Sequence, residues 1–385
     1  MTADRSAPAP VPAPAPAQSP MARAVAEARR GPRGANPLVG AVITAPDGRI
    51  VATGHHRGRG TAHAEVDALA AFAQLDQCAQ PALSEATLWV TVEPCDHTGS
   101  TGPCTEAILA SGLRRVRYAV ADPTGPDGGG AARLRDAGLD VARCEEQREE
   151  PAAESAEHLN RRWLLARDTG RPFITAHLAQ SLDGRVAAAD GTSQWITGSE
   201  ARQHAHRVRG RVDAIVVGTG TVLADNPRLT ARPDTGTPAI QPVPVVQGRR
   251  RVPVEAALRG ERGLGEQSRG EEGRADGWIH IPDHDPAAVL ERLARIPGPW
   301  PHGGAHPGHL LIEGGPRVLS TWIDAGLVDE MFVYQAPLVI GSGPAGLQLP
   351  HRTTLGQASR LALDDAETGG ISRLGDDVLI HLAAV

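Results

Sequence analysis

His63-Ala64-Glu65, then Pro94-Cys95 some thirty residues on, then Pro103-Cys104: these segments decide how the first half of the chain reads. A catalytic zinc ion takes three protein ligands and leaves a fourth position open to water. One histidine and two cysteines meet that count. Each segment runs into a helical pattern, which predicts ligands at helix N-termini, where the helix dipole and a metal both favour the thiolate. Pro94 and Pro103 suit such positions, because the first helical N–H has no partner to lose. Glu65, two residues past the histidine, is expected to stay off the metal, take a proton from the activated water and pass it to a leaving group. An H-x-E occurs often by chance, and a lone cysteine is usually a small buried hydrophobe. Three ligands in order, each cysteine behind a proline, outweigh both readings. Zinc base deaminases pair H-x-E with P-C-x-x-C; here eight residues separate the cysteines instead of two. Cys78 and Cys144 lack such a context and read as structural.

Around these segments short apolar runs alternate with helical patterns, which implies an α/β sheet covered by helices. Val39–Ile43 and Ile50–Ala52 flank the Pro46-Asp47-Gly48 turn and predict a hairpin. Glu65–Ala73 predicts a helix with Val66, Leu69 and Phe72 on its buried face. Leu88–Val92 and Val116–Ala121 read as strands, with a helix at Thr105–Ser111. A second composition begins at Arg171-Pro172. Strands are predicted there at Ile174–Ala179, Ala214–Val217, Trp278–Ile281, Leu310–Ile312, Met331–Tyr334 and Val378–Leu382, with a helix at Glu200–Arg209. Residues 248–277, rich in Gly, Arg and Glu, read as an exposed loop. The expected organisation is a disordered Pro/Ala-rich tail over 1–20, a domain over 21–167 and another over 171–385.

A length of 385 residues itself favours two domains. No apolar run approaches the length of a membrane span. The first twenty residues lack a charged start followed by an apolar stretch, so they do not read as a signal peptide. With four cysteines and no such signal, a cytoplasmic setting is expected, and thiols used for metal or catalysis rather than for disulfides. A net charge of −6 argues against nonspecific nucleic-acid binding. Every basic side chain is arginine, which removes lysine as a catalytic base or phosphate hook.

The second half has no full G-x-G-x-x-G fingerprint, so a Rossmann domain is not supported. It does have Gly218-Thr219-Gly220 and Gly314-Gly315 behind apolar strands, turns whose backbone can approach a phosphate. Each alone is weak, since glycines after strands are mostly plain turns. Arg209 and Arg232 can clamp a phosphate with paired N–H donors, though a solvated surface charge is an equal reading of either alone.

Together, Asn36-Pro37-Leu38-Val39-Gly40, Gly54-His55-His56, His63-Ala64-Glu65 and Glu93-Pro94-Cys95-Asp96-His97 resemble the deaminase half of the bifunctional riboflavin-biosynthesis deaminase/reductases, as does the long insertion between the cysteines. Ala179–Arg185, Ser193–Thr197, Val216–Thr221, Leu223–Pro227 and Ile312–Pro316 resemble the reductase half. The resemblance implies a cytidine-deaminase-like three-layer α/β/α domain followed by a dihydrofolate-reductase-like α/β domain. It implies one zinc ion on His63, Cys95 and Cys104, Glu65 as proton carrier, and Asn36 and His97 holding the pyrimidine and its ribose-phosphate. It further implies that Ala179, Trp195, Thr221, Asp225 and the run Gly315, Pro316, Arg317, Val318, Leu319, Ser320, Thr321 face NADPH. Ser193, Arg209, Leu229, Arg232 and Glu313 are implied for the phosphoribosyl substrate. The implied reactions are hydrolytic loss of the 2-amino group of 2,5-diamino-6-(5-phosphoribosylamino)pyrimidin-4-one and NADPH-dependent reduction of ribosyl to ribityl, in a dimer or larger homo-oligomer. A diverged copy working on a related pyrimidine or deazapurine, or keeping one activity, retains both folds. A noncatalytic zinc-stabilised binding protein is opposed by Glu65, which stands where a structural site needs no acid.

Two positions depart from the family pattern. Ser100 stands where the family usually has Arg or Lys, and His177 where it usually has Lys. An imidazole carries a positive charge only when protonated. Reductase kcat/KM of the wild type is therefore expected to decline with rising pH relative to His177→Lys; coincident steady-state pH profiles would refute this.

Overall fold

The computed structural model describes residues 19–31, 36–58, 60–76, 81–97, 102–123, 129–144, 152–232, 240–259, 277–298, 300–302, 304–364 and 369–385. Cys78 and Ser100 lie outside the described residues. In the first half the described elements are α1 (Pro20–Ala28), β1 (Gly40–Thr44), β2 (Ile50–His55), α2 (Ala64–Ala73), β3 (Thr87–Val92), α3 (Cys104–Ser111), β4 (Arg115–Val120), α4 (Gly129–Asp136), β5 (Asp140–Arg143), α5 (Ala152–Leu159) and α6 (Arg161–Thr169). The sheet order is β2-β1-β3-β4-β5. β1 pairs antiparallel with β2 and β3, and β3, β4 and β5 run parallel.

Strand alternation builds the layers. Ala41 and Ile43 of β1 join Leu88 and Val90 of β3 in a core closed by Phe72 of α2, Ile108 of α3 and Leu134 of α4. Val42, one residue out of phase, enters the opposite core with Met21, Ala24 and Val25 of α1 and Ala156 of α5. Two glycines let helices lie directly on the hairpin. A Cβ on Gly40 would stand 2.0 Å from the Ala24 carbonyl oxygen, and one on Gly54 2.3 Å from the Ala68 nitrogen. Because His63 precedes α2, the Gly54 contact sets where that ligand stands. The inward face of α2 differs from the expected one: Ala64, Ala68 and Phe72 are buried together with Glu65, whereas Val66 and Leu69 are half-buried. Small residues win because the helix lies so close to β2. The first helix also starts inside the stretch read as a tail, with Pro20 in its first turn and the Ser19 hydroxyl accepting from the Ala22 N–H at 3.1 Å.

The second half comprises β6 (Phe173–Ser181), α7 (Ser199–Arg209), β7 (Ala214–Gly218), α8 (Thr219–Asp225), β8 (Val243–Gln247), β9 (Ile279–Ile281), α9 (Pro286–Arg295), β10 (His309–Ile312), α10 (Pro316–Asp324), β11 (Glu330–Ala336), β12 (Leu361–Leu363), β13 (Ile371–Leu374) and β14 (Asp377–Ala384). Its order is β12-β14-β11-β6-β10-β7-β8-β9, with β13 paired to β14. The chain moves outward through β7, β8 and β9, then returns to insert β10 between β6 and β7, all of these parallel. Strands covered on both faces read as unbroken apolar runs, as Ala214–Gly218 does. α9 and α10 close one face and α7 and α8 the other. The loop expected at 248–277 is only partly exposed: Val252, Ala256 and Leu258 are buried in the α7–α8 core, and residues 260–276 lie outside the described residues. Among the described residues no helix is long and apolar enough to cross a membrane.

Gly54→Ala is expected to destabilise the chain by about 1–3 kcal/mol, because its new methyl meets helix backbone rather than a side chain. Unchanged thermal denaturation would show that α2 can retreat.

Candidate active sites

His63 is the N-cap of α2, and Cys104 opens α3 behind Pro103. Cys95 differs from expectation. It lies in the connection after β3, and α3 reaches it through space: the Cys104 N–H donates to the Cys95 Sγ at 3.4 Å. Pro94 is accordingly not a first-turn proline. Its carbonyl is pressed against Gly130, where a Cβ would stand 2.0 Å away. His63 Nδ1 lies 3.1 Å from Cys104 Sγ and 3.4 Å from Cys95 Sγ. One donor atom from each residue lies within 4.8 Å of the others. An imidazole nitrogen and two sulfurs gathered this tightly fit zinc and leave room for one further ligand.

The thiols are unequal. The Cys104 thiol donates to Cys95, and with His63 and the Cys104 N–H it draws the Cys95 thiol down to about 4. Glu65, in the first turn of α2, is 3% exposed and touches the Cys104 thiol. Burial pushes its carboxyl up to about 7. A carboxyl poised there can accept and return a proton near neutral pH.

Residues given no individual role in the sequence reading hold this cradle. Asp96 accepts from the Thr105 hydroxyl at 2.6 Å and from Arg133 Nη1 at 2.5 Å, which ties the Cys95 segment to α3 and α4. Glu93 is buried and accepts from the Asp122 and Ala131 N–H groups at 3.2 and 2.9 Å. The His56 ring stands edge-on to His63, with centroids 5.3 Å apart. The Leu38–Gly40 main chain is fastened to the same region: His56 N–H donates to the Val39 carbonyl, and Thr91, four residues before Cys95, bonds both Leu38 and Gly40. Asn36 and His97 are exposed at its margin.

The second site lies at the carboxyl ends of β6, β10 and β7, where parallel sheets bind ligands. Arg209 of α7 grips Glu313, just beyond β10, with Nε to Oε1 at 2.9 Å and Nη2 to Oε2 at 2.6 Å, while its Nη1 donates to the Thr230 carbonyl. The Arg209 fork, read in the sequence as a possible phosphate clamp, here holds a carboxylate. Arg232 is exposed. His177 of β6 meets Glu313 Oε1 through Nδ1 at 3.2 Å, and its Nε2 is buried without a partner among the described residues. Burial pushes the Glu313 carboxyl upward, but Arg209 and His177 overcome that and hold it well below the usual carboxylate range. The His177 ring lies 4.4 Å from that of Tyr334, whose hydroxyl bonds buried His204 at 2.7 Å.

Ser193 hydrogen-bonds Asp225, so residues implied for different ligands sit together. Ala179 is exposed on β6, and Trp195 is exposed beneath the Arg202 guanidinium. The Gly315 N–H donates to the Thr221 hydroxyl at 3.1 Å. The glycine turns have a different cause from the one expected. Gly218 and Gly314 are required by Val318, whose side chain a Cβ would meet at 2.7 and 2.4 Å. Gly315, the N-cap of α10, has room around it and an N-terminus that suits a dinucleotide phosphate. The run from Gly315 to Thr321 is the N-cap and the first six residues of α10. Its helical period turns Leu319 and Ser320 into the core, half-buries Val318 and leaves Arg317 and Thr321 exposed. Leu229 is also buried, with a left-handed φ of 53°, so its side chain serves the core.

A three-layer domain with an H-x-E zinc cradle, followed by a dihydrofolate-reductase-like domain, defines a two-headed deaminase and reductase. The model for the cytidine and deoxycytidylate deaminase zinc-binding region matches residues 15–120, and that for the RibD C-terminal domain matches residues 172–370. The riboflavin biosynthesis protein RibD of Mycobacterium tuberculosis H37Rv is 39% identical over 349 residues, covering 90% of this chain and 91% of that protein. The RibD of Escherichia coli K12 is 35% identical over 94% of this chain and 98% of its own length. The solved structure of Acinetobacter baumannii RibD, form 1, superposes with a TM-score of 0.77 at 31% identity, covering 96% of this chain and 98% of that one. This chain belongs to the RibD family, with a zinc-dependent deaminase and an NADPH-dependent reductase joined in one polypeptide.

Proposed function

We propose that the first half, 21–167, removes the 2-amino group of 2,5-diamino-6-(5-phosphoribosylamino)pyrimidin-4-one, and that the second, 171–385, reduces the ribosyl side chain of the product. The observation that carries the first step is the buried Glu65 beside three gathered metal donors. His63, Cys95 and Cys104 would hold the zinc ion, which when bound supplies a Lewis acid that makes water nucleophilic at neutral pH. Glu65 takes the proton released as water adds to the ring carbon, then returns it to the departing amine, so a C–N bond is exchanged for C=O and ammonia leaves. Asn36 and His97 hold the pyrimidine and its ribose-phosphate from the exposed margin.

In the second half, bound NADPH would supply the hydride for the ribose C1′, and the ring oxygen would take a proton as the sugar opens. Ala179, Trp195, Thr221, Asp225 and the run Gly315, Pro316, Arg317, Val318, Leu319, Ser320 and Thr321 are assigned to the cofactor. Ser193, Arg209, Leu229, Arg232 and Glu313 are assigned to the substrate, with Arg209 also keeping Glu313 ionised and oriented. A related pyrimidine as substrate is the second outcome of the same assay, in which the diaminopyrimidine phosphate is incubated with and without NADPH and followed by mass. Glu65→Gln is expected to keep stoichiometric zinc, lower ammonia release by about 10²–10⁴-fold and spare the reductase. Loss of zinc, or undiminished ammonia release, would overturn the role of Glu65.

The same reading extends to a cytoplasmic homo-oligomer. Cross-strand register puts Leu361 and Leu363 of β12, Ile371 of β13 and Val378 of β14 on one face of the sheet, all of them exposed. An apolar patch of this kind on a folded domain is covered by a partner, here a second copy. Ile371→Asp is expected to shift the sedimentation coefficient towards the monomer; an unchanged value would place the contact elsewhere.

A further inference from the structure

Between the two halves lies a cluster that neither reaction uses. Four side chains at the α5–α6 junction point in two directions. Asn160 is 2% exposed and turns towards the deaminase half. Its Oδ1 accepts from the Leu38 N–H at 2.7 Å, and its Nδ2 donates to the Leu38 carbonyl at 3.1 Å and to the Ala156 carbonyl at 3.2 Å. A side-chain amide that takes both polar groups of one residue mimics the partner strand that this residue lacks. Leu38 lies two residues past Asn36, and its carbonyl also receives the Thr91 hydroxyl.

The other three face the reductase sheet. Arg162 grips Glu330 at the start of β11 with Nε to Oε2 at 3.1 Å and Nη2 to Oε1 at 2.5 Å. Arg161 Nη2 reaches Asp364 Oδ2 at 2.7 Å, and His158 Nε2 reaches Asp364 Oδ1 at 3.0 Å. Both carboxylates are essentially buried, and Glu330 also receives the Thr175 hydroxyl of β6 and the imidazole of His381. Burial alone would push the Glu330 carboxyl up, but Arg162 and His381 hold it well below the usual range. A two-pronged arginine contact fixes orientation as well as charge. The residues that grip the reductase sheet therefore flank the one that grips the Leu38 main chain, His158 before it and Arg161 and Arg162 directly after.

We propose that Asn160 is a positioning residue for deamination, holding the Asn36–Leu38 segment in register, and that the Arg162–Glu330 contact transmits this register from the reductase half. The inference rests on the reading that Asn36 contacts the pyrimidine substrate. Asn160 touches no reacting atom; removing it frees the main chain on which Asn36 stands and leaves His63, Cys95, Cys104 and Glu65 in place. The effect belongs in substrate binding rather than in the chemical step.

The test measures ammonia release from the diaminopyrimidine phosphate by the full-length chain without NADPH, with zinc content and reductase kcat/KM as controls in the same protein. Asn160→Ala is expected to raise the deamination KM about tenfold while kcat, zinc content and reductase kcat/KM stay within about twofold. Asn160→Asp keeps the acceptor for the Leu38 N–H and loses both donors, so it is expected to fall between. Arg162→Met is expected to raise the same KM although it contacts no part of the deaminase site; Arg162→Lys, which keeps the charge without the fork, gives the milder form of that result should the methionine variant not fold. A deamination KM unchanged in Asn160→Ala, or a parallel fall in both activities, would overturn the positioning role. A KM unchanged in the Arg162 variants would overturn the link between the halves. A wild type that binds zinc but releases no ammonia would instead defeat the underlying reading of the substrate.

Discussion

Two sulfurs, an imidazole and a carboxyl can share one small volume only if the elements that carry them are forced to start at the same place. That constraint governs the first half of the chain. α2 is pressed onto β2 by the absence of a side chain at Gly54, and α3 begins where the connection after β3 passes its N-terminus. The sheet supplies the fixed distance between them. Leaving Glu65 charged inside this cradle would incur a desolvation penalty of roughly several kcal/mol, and its carboxyl is instead raised to about 7. A carboxyl so placed is reluctant to hold charge and ready to move a proton, which is what deamination asks of it.

The reductase half solves a related problem in the opposite sense. Glu313 is also largely covered, yet it stays ionised because Arg209 supplies two aligned donors and His177 a third contact. Burial of a carboxylate is tolerated when the partner's geometry is this good. The two buried acids are thus set apart by their neighbours: one kept able to take a proton, the other kept from doing so.

Much of this was legible in sequence, for reasons that can be named. Chemistry that needs particular residue types in order leaves a local trace, so the zinc cradle could be read from His63, Cys95 and Cys104, and strongly apolar strands such as Ala214–Gly218 were visible as runs. What stayed hidden was pairing at long range. Arg209 reads as a phosphate clamp until its partner 104 residues away is seen. Gly218 and Gly314 read as ligand-facing turns, and nothing local shows that the Val318 side chain of α10 packs against both. Burial phase was misread where helix and strand touch, because a close approach rewards Ala64 and Ala68 over the larger Val66 and Leu69. The run from Gly315 to Thr321 shows the same limit: its order in sequence does not reveal that the helical period buries Leu319 and Ser320 and exposes Arg317 and Thr321.

The junction between the halves follows from the same physics. Glu330 and Asp364 would be costly to bury if left alone; His381 of β14 reaches both, at 2.6 and 3.5 Å, and arginines complete their pairing. The cations come from α6, which the chain must lay against the sheet to deliver them, and in doing so it fixes Asn160 against Leu38. Electrostatic satisfaction of one domain thereby dictates the main-chain register of the other. Apolar packing could join two domains as firmly, since replacing buried ion pairs with hydrophobic groups is often neutral or stabilising. It could not specify orientation as narrowly, because apolar contacts slide where paired donors and acceptors do not.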